Sequence, residues 1–539
     1  MKKSKLIVLC LLAFLLILSG CGKDDPKPQT TLDNPEAVDE LTTNIDLLPS
    51  KITLEHESLI KGYQREYNNL SDYDKTQIYN YDALEEAIKI IDNLISARDN
   101  VESIFDKVES EINKALVLDI DVSINDIDIL KNYTDEEYNQ LVVIVWDTTD
   151  AYILSTTGSV THGINDQTVT LTAVMSAKGL NKERTLTYEI MVRKRTLKDI
   201  SNRPVRVAYM SYEAYTLTEE QEQSLDIVNY AFSQIVKSTK NGVTTFSISA
   251  PGLVYRLTKP LHNAGIRVVL SLGGWQNDSS FWNTYREACS TTEYRTQVAE
   301  AIYECMKSNN LDGIDFDWEY PGSSDKTIFF ELIKEVKRVF VAHGCEDYLI
   351  TMAIPGGSWS ALGYDYAKLD AYTDYYYVMT YDLDSSSVTM HHTALKTSNT
   401  SRPSIQSSVE YLLQNKVTPS KIVIGAAFYG RIYQGVSNTN NGLSQSYEKR
   451  STISYTGIKE DYLSRLNTEV FEYYDSGANA SYLYDTKNHI FITYDNEQSI
   501  IAKCNYVSEN KLGGIMFWSF NNNPSGELLH AIYLAFGAH

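Results

Sequence analysis

The chain has 539 residues, more than one hydrophobic core normally organises, so we expect several domains. Hydrophobic residues make up 43% of the chain and charged residues 22%, a globular composition that excludes wholesale disorder. The formal net charge of −22 argues against nucleic acid as a partner, because phosphate recognition needs clustered lysine and arginine.

The N-terminus has the pattern of a secretory signal over residues 1–20. Lysines at its start precede an apolar run over residues 6–18, which is too short to span a bilayer permanently. The string Leu18-Ser-Gly-Cys21 resembles the lipobox of bacterial lipoproteins. That resemblance implies acylation of Cys21 and a protein anchored to the membrane by lipid, on its extracytoplasmic side at the cell surface. An ordinary signal peptide with an incidental Cys21 is the alternative.

Residues 21–44, with Lys, Asp, Pro, Gln and Thr, predict a flexible tether. Residues 45–112 predict a helical module, because apolar residues recur at helical spacing. This stripe includes Leu84, Ile88, Ile91 and Ile95. The string over residues 47–87 is similar to the small three-helix modules of the FIVAR type in bacterial surface proteins. We expect its tyrosines to serve packing.

Residues 113–196 change to a period of two, which predicts short β-strands. Val169, Leu171, Ala173 and Met175 alternate with threonines, and glycines punctuate the segment. The pattern favours a β-sandwich and resembles an atypical bacterial immunoglobulin-like domain. Such a domain is usually a spacer, and carbohydrate binding is the open alternative.

Residues 203–539 alternate between apolar runs and helical stretches, which predicts a (β/α)8 TIM barrel. The predicted strands are Val205–Met210, Ile227–Phe232, Val268–Leu272, Gly313–Trp318, Leu349–Ile354, Tyr376–Thr380, Ile422–Phe428 and Gly514–Phe520. A small α+β insertion is predicted over about residues 432–490. Cys289, Cys305, Cys345 and Cys504 could form two disulfides in any of three pairings, and buried free thiols are the stronger expectation.

The fourth predicted strand carries acidic residues on one face. Side chains alternate along a strand, so Asp315, Asp317 and Glu319 point one way and the apolar residues between them the other. Carboxylates crowded in a barrel lumen cannot all ionise cheaply, so at least one should hold a proton near neutral pH. A protonated Glu319 at the end of the strand is the acid that a glycosidase needs. An edge strand with a solvated acidic face and a metal site are the alternatives, although no histidine accompanies the acids.

The string Asp312-Gly-Ile-Asp-Phe-Asp-Trp-Glu319 completes the DxxDxDxE signature of glycoside hydrolase family 18, and other strands resemble that family too. The matching strings are Ser271–Trp275, Asn229–Phe232, Met379–Asp382, Ile424–Arg431 and Gly513–Trp518. The resemblance implies a retaining mechanism in which the acetamide of the substrate is the nucleophile.

The resemblance also assigns roles. Glu319 is implied as the acid, and Asp317 as the acceptor of the acetamide N–H. Asp315 is implied to share a proton with Asp317, Tyr381 to bind the acetamide oxygen, and Trp518 to form the floor under the sugar. Further lining residues are expected at Tyr209, Phe232, Gly274, Trp275, Met379, Asp382, Tyr429 and Arg431, with core or scaffold roles as the alternative. For Gly274, tight packing is the stronger expectation.

One departure from the family follows Asp382. The chain continues with Leu383-Asp-Ser-Ser-Ser, where the family commonly has an aromatic residue or histidine, then glycine and often tryptophan. The resemblance therefore does not extend to this part of the family's subsite pattern. The adjacent His391 and His392 lack nearby partners for a metal, so we expect neither a metal nor a cofactor.

The sequence therefore predicts a chitinase (EC 3.2.1.14), which hydrolyses chitin and chito-oligosaccharides internally at β-1,4-linked N-acetylglucosamine. An endo-β-N-acetylglucosaminidase acting on N-glycans or peptidoglycan is the enzymatic alternative, and a surface lectin or adhesin is the alternative of another class. The expected partners are this polysaccharide and the membrane, and a monomer is expected.

Overall fold

The computed structural model describes residues 31–117, 126–211, 215–249, 252–276, 281–399 and 403–537. The predicted signal peptide and Cys21 lie outside these residues. The chain divides into two compact units, one formed by residues up to 160 with 168–191, and the other by residues 161–167 with 192–539. Across the described ranges, every helix is too short or too polar to cross a membrane.

The first unit begins with helices. They are α1 (Pro35–Asp46), α2 (Glu57–Asn69), α3 (Asp72–Lys75), α4 (Tyr81–Asp99) and α5 (Val101–Val117). The tether predicted over residues 21–44 is wrong from Pro35 onward. Asn34 caps α1 and Pro35 occupies its first turn, while Val38, Leu41 and Ile45 are buried against α2 and α4. The polar composition of this segment concealed the helical spacing of its apolar residues.

The rest of the first unit is an antiparallel sheet in the order β1-β2-β3-β4. Its strands are β1 (Asn132–Asp135), β2 (Gln140–Thr148), β3 (Gln167–Ala177) and β4 (Lys182–Val192). The alternating residues of β3 point inward as predicted, and Val169, Leu171, Ala173 and Met175 are each at most 1% exposed. Residues 126–192 form this one sheet, so the second sheet of a sandwich is not among the described residues. The immunoglobulin-like assignment stays a prediction.

The second unit contains a closed barrel of eight parallel strands. Its strands are β5 (Val205–Ser211), β6 (Ile227–Lys240), β8 (Arg267–Gly273), β9 (Gly313–Asp317), β10 (Leu349–Pro355), β11 (Tyr375–Met379), β12 (Ile422–Ala427) and β18 (Gly514–Trp518). Pairing of β5 with both β6 and β18 closes the ring, which confirms the predicted TIM barrel. Strand β6 continues beyond Phe232 and forms an antiparallel hairpin with β7 (Val243–Ser249).

Helices and a small sheet complete this unit. The helices are α6 (Glu219–Gln223), α7 (Val254–Asn263), α8 (Phe281–Ser290), α9 (Thr292–Ser308), α10 (Lys326–Ala342), α11 (Tyr366–Leu369), α12 (Ile405–Gln414), α13 (Tyr455–Asp461), α14 (Glu497–Glu509) and α15 (Glu527–Phe536). The predicted insertion is a five-stranded antiparallel sheet of β13 (Tyr429–Gln434), β14 (Lys449–Ser454), β15 (Val470–Asp475), β16 (Ala480–Asp485) and β17 (Ile490–Tyr494), with α13. The four cysteines of the barrel unit are buried and free.

The predicted alternation along β9 holds. Ile314, Phe316 and Trp318 pack into the hydrophobic layer outside the barrel, whereas Asp315 points into the lumen, where its carboxylate contacts Tyr209. Because β9 pairs with both β8 and β10, the edge-strand alternative is excluded. The carboxylates of this strand therefore lie toward the carboxyl-terminal end of the barrel.

Candidate active site

A pocket of ≈ 580 Å3 opens at the carboxyl ends of the barrel strands. Its walls include eleven of the residues proposed from sequence. They are Tyr209, Phe232, Trp275, Asp317, Glu319, Met379, Tyr381, Asp382, Tyr429, Arg431 and Trp518. Strands from all around the barrel thus contribute to one concave site, as expected for a TIM barrel.

Asp315 lies beneath this pocket, not in its wall, and is fully buried. One carboxylate oxygen accepts hydrogen bonds from the hydroxyls of Tyr209 at 2.7 Å and Ser271 at 2.8 Å. The other accepts one from the Thr351 hydroxyl at 2.8 Å. Burial raises the pKa of Asp315, while these hydroxyls oppose that rise by stabilising the anion.

Asp317 lies next along the lumen and is only 3% exposed. Burial, followed by the charges of Glu319 and Asp315, raises the pKa of Asp317 well above its ordinary value. Its Oδ1 atom is buried and has no hydrogen-bond partner among the described residues. A buried acceptor of this kind favours a ligand that brings an N–H or O–H group.

Glu319 follows the end of β9 and lines the pocket. Burial raises the pKa of Glu319 to about 7, a hydrogen bond with Tyr320 lowers it, and the negative charge of Asp382 raises it. Near neutral pH this carboxyl group is therefore poised between its acid and base forms, as general acid–base catalysis requires.

The opposite wall contains a polar cluster around Asp382. This carboxylate accepts hydrogen bonds from the Tyr429 hydroxyl at 2.7 Å and Arg431 Nε at 2.9 Å, and Arg431 also pairs with its second oxygen at 2.6 Å. Desolvation alone would raise the pKa of Asp382, but His392, Arg431 and Tyr429 lower it to about 2. Asp382 is therefore a fixed negative charge near Glu319.

Aromatic side chains form the apolar part of the pocket. Phe232 stacks on Trp518 with ring centroids 5.7 Å apart and planes 20° apart, and Tyr209 lies 5.6 Å from the same indole. Tyr381 meets Tyr429 edge-on at 6.0 Å. Flat apolar faces beside hydrogen-bonding groups are suited to a pyranose ring, which has apolar faces and a polar rim.

One predicted lining residue does not line the pocket. Gly274 has φ +88°, and a Cβ atom there would lie 2.6 Å from the ring of Phe232. Its role is close packing beneath that ring, which was the stronger expectation. By contrast, the side chain of Trp275 is 63% exposed at the rim.

Six lining residues were missed, namely Gln276, Tyr320, Ala353, Pro355, Gly356 and Leu383. Pro355 and Gly356 end the fifth barrel strand, so the rule that TIM-barrel sites lie at strand ends could have identified them. Leu383 belongs to the segment that departs from the family. Its neighbour Asp384 accepts hydrogen bonds from Arg450 and Tyr433 of the insertion, which attaches this loop to the inserted sheet.

Of the remaining signature and histidine residues, Asp312 and His391 lie away from the pocket, whereas His392 lies behind its wall and contacts Asp382. Asp312 pairs at the base of the barrel with Arg195 at 2.6 Å and His262 at 2.7 Å. His391 contacts Asp475, whereas His392 packs against Tyr429. In the described part of the chain, no three metal-ligating side chains form a cluster that could hold an ion.

Known proteins share this architecture. Chitinase B from Serratia marcescens is 27% identical over 391 residues, which cover 60% of this chain and 78% of that protein. A solved family 18 N-acetylglucosaminidase from Paenibacillus barengoltzii is 30% identical with a TM-score of 0.54, and the alignment covers 62% of this chain and 100% of that one. A multi-modular chitinase expressed on the cell surface of a Paenibacillus species is 26% identical with a TM-score of 0.54, over 69% of this chain and 36% of that one.

The family model described as Glycosyl hydrolases family 18 matches residues 205–523, the barrel with its insertion. This range contains the complete acidic strand and the pocket around it. The chain belongs to glycosyl hydrolase family 18.

Proposed function

We propose that this protein is a retaining, endo-acting hydrolase of β-1,4-linked N-acetylglucosamine polymers, with chitin and chito-oligosaccharides as its substrates. One observation carries the proposal. Glu319, with a pKa of about 7, shares a pocket with Asp317, whose buried Oδ1 has no hydrogen-bond partner within the described ranges. Cleavage assisted by the substrate acetamide needs an acid that can transfer its proton and an acceptor for the acetamide N–H.

In the first step Glu319 donates its proton to the glycosidic oxygen as the bond from that oxygen to the anomeric carbon breaks. The acetamide carbonyl oxygen of the same sugar attacks the anomeric carbon and forms an oxazolinium ion. Asp317 accepts the acetamide N–H, the negative charge that Asp315 and Asp317 share offsets the positive charge that develops, and Tyr381 donates to the acetamide oxygen. Hydroxyl donors stabilise the Asp315 anion, which favours a proton further up, around Asp317.

In the second step the Glu319 carboxylate removes a proton from water, and the water oxygen attacks the anomeric carbon. The oxazolinium ring opens and Glu319 regains its proton. Both attacks occur at the same carbon from opposite faces, so the product keeps the β configuration.

The surroundings of the pocket support a polymeric substrate. A smaller cavity of ≈ 250 Å3 shares Asp382, Tyr429 and Trp518 with the main pocket and continues to the inserted strand β14. A single sugar does not need both spaces. The similarity to Chitinase B also supports chitin as the substrate. The similarity to an N-acetylglucosaminidase supports the alternative, in which the substrate is another N-acetylglucosamine compound such as an N-glycan or peptidoglycan.

Parallel assays separate these functions. Purified protein is incubated with chitohexaose, a high-mannose glycoprotein and peptidoglycan, with Glu319→Gln as the control. Release of short chito-oligosaccharides by the wild type alone is expected. Deglycosylation or wall digestion without chitohexaose cleavage would favour the other hydrolases, and binding without any turnover would favour a lectin or adhesin.

We further propose that the mature protein is a monomer anchored to the cell surface by lipid on Cys21, with its N-terminal modules as spacers. The signal-like segment and its lipobox support the anchor, and the Paenibacillus relative is a cell-surface enzyme. Metabolic labelling with a fatty acid should mark the wild type and not Cys21→Ser. Equal labelling of both would contradict the anchor.

A further inference from the structure

A buried ion pair lies behind the Asp382 wall of the pocket. Lys503 of α14 is 0% exposed and Asp495, which follows β17, is 1% exposed, and their charged groups pair directly. Neither side chain lines the pocket, so neither can touch a substrate. Burying two charges costs free energy unless both are fully hydrogen-bonded, so each charged group needs further hydrogen-bond partners.

The lysine side of the pair reaches the end of the sixth barrel strand. Lys503 Nζ donates to the Thr393 hydroxyl at 2.7 Å, and that hydroxyl donates to the Thr380 carbonyl at 2.9 Å. Thr380 is also bound to the neighbouring strand β12, because its own hydroxyl donates to the Gly425 carbonyl at 2.8 Å. Thr380 immediately precedes Tyr381 in the chain, and this carbonyl belongs to the peptide that joins them.

The aspartate side reaches the end of the seventh barrel strand. Asp495 Oδ2 accepts the backbone N–H of Ala427 at 3.0 Å, and Oδ1 accepts the Ser499 hydroxyl at 2.7 Å. Ala427 lies two residues before Tyr429, and Thr380 lies two residues before Asp382. The ion pair therefore binds the chain two residues before each partner of the 2.7 Å hydrogen bond between the Tyr429 hydroxyl and Asp382.

We propose that Lys503 and Asp495, acting through Thr393, are positioning residues that fix Tyr381 and Asp382 relative to Glu319. The inference rests on the proposed hydrolase function. Loss of the link leaves the Thr380 carbonyl without its donor and lets the turn after β11 move. A displacement of about 1 Å at a catalytic group can lower turnover about a hundredfold.

The link also controls the electrostatics of the acid. The titratable and charged groups that face Glu319 are Asp317 at the end of β9, the adjacent Tyr320, Tyr364, Tyr381, and Asp382 across the pocket. Asp382 raises the pKa of Glu319, so a turn that moves away weakens this effect. The alkaline limb of the rate profile should then shift toward lower pH, which lost stability alone would not cause.

The test removes the relay and leaves the ion pair in place. Thr393→Val should lower kcat on chitohexaose about tenfold or more, with a smaller change in KM, and should move the alkaline limb of kcat to lower pH. Thr393→Ser keeps the hydroxyl and should restore both. Lys503→Met should match the valine variant where it folds.

Arg203→Met is the matched control. It breaks a partly buried ion pair with Asp226 at the opposite end of the barrel, in which Arg203 donates at 2.7 and 2.9 Å. This substitution should cost stability without changing kcat or the position of the alkaline limb. If the wild type turns over chitohexaose and Thr393→Val has the same kcat and the same alkaline limb, the positioning role is overturned and the proposed function is not. Absence of wild-type turnover on every N-acetylglucosamine substrate would overturn the proposed function, and the inference with it.

Discussion

Raising the pH through 7 should switch the enzyme off by deprotonating Glu319. Burial moves the pKa of this group from 4.5 to about 7. With that pKa, roughly nine-tenths of the molecules carry the acid proton at about pH 6 and one-tenth at about pH 8. The rate kcat/KM on chitohexaose should therefore fall about tenfold across this interval, because it follows the protonated fraction of the acid.

Asp382→Asn tests the electrostatic origin of this limb. The substitution removes a negative charge that raises the pKa of Glu319, so the alkaline limb should move to lower pH. Asp384→Asn is the matched control, because Asp384 is two residues away but pairs with Arg450 and is not a cause of the raised pKa. A limb already complete near pH 5 in the wild type would refute the assignment of Glu319 as the acid, and equal limbs in all three proteins would refute the effect of Asp382 on it.

Three further predictions concern single residues. Asp317→Asn should reduce turnover by about a hundredfold or more while oligosaccharide binding measured by calorimetry persists; unchanged turnover would contradict its role. Glu319→Gln should raise Tm over the wild type at pH 8 more than at pH 5. A carboxyl group whose pKa is raised in the folded state loses its stabilising contribution as pH rises through 7, which lowers the free energy of unfolding of the wild type by up to about 3 kcal/mol. An identical Tm difference at both pH values would be inconsistent with this. Gly274→Ala should displace Phe232 from Trp518 and raise KM; an unaltered KM would show that the stacked pair does not hold the sugar.

Much of the barrel could be predicted because its strands are short apolar runs that buried parallel strands require. The hairpin strand Val243–Ser249 was missed because serine and threonine obscure its alternation. Helix α1 was missed because charged and polar residues surround its buried Val38, Leu41 and Ile45. In both cases the core-facing residues are too few to dominate local composition.

The acidic face was predictable from the order of residues along one strand, since Asp315, Asp317 and Glu319 alternate by necessity. The contacts that tune them were not. Asp315 is hydrogen-bonded by Tyr209, which is 106 residues away in sequence, and Thr393 meets Lys503 across 110 residues. Such partners are defined by barrel closure and by the packing of α14 against the segment after β11, which no local pattern encodes.

In the proposed mechanism the acetamide of the substrate attacks the anomeric carbon while Glu319 supplies the proton. Proton NMR of the first product formed from chitohexaose tests it most directly. We expect the new reducing end to appear in the β configuration before mutarotation, and we expect Glu319→Gln to yield no product. A first product in the α configuration, or undiminished cleavage by Glu319→Gln, would contradict it.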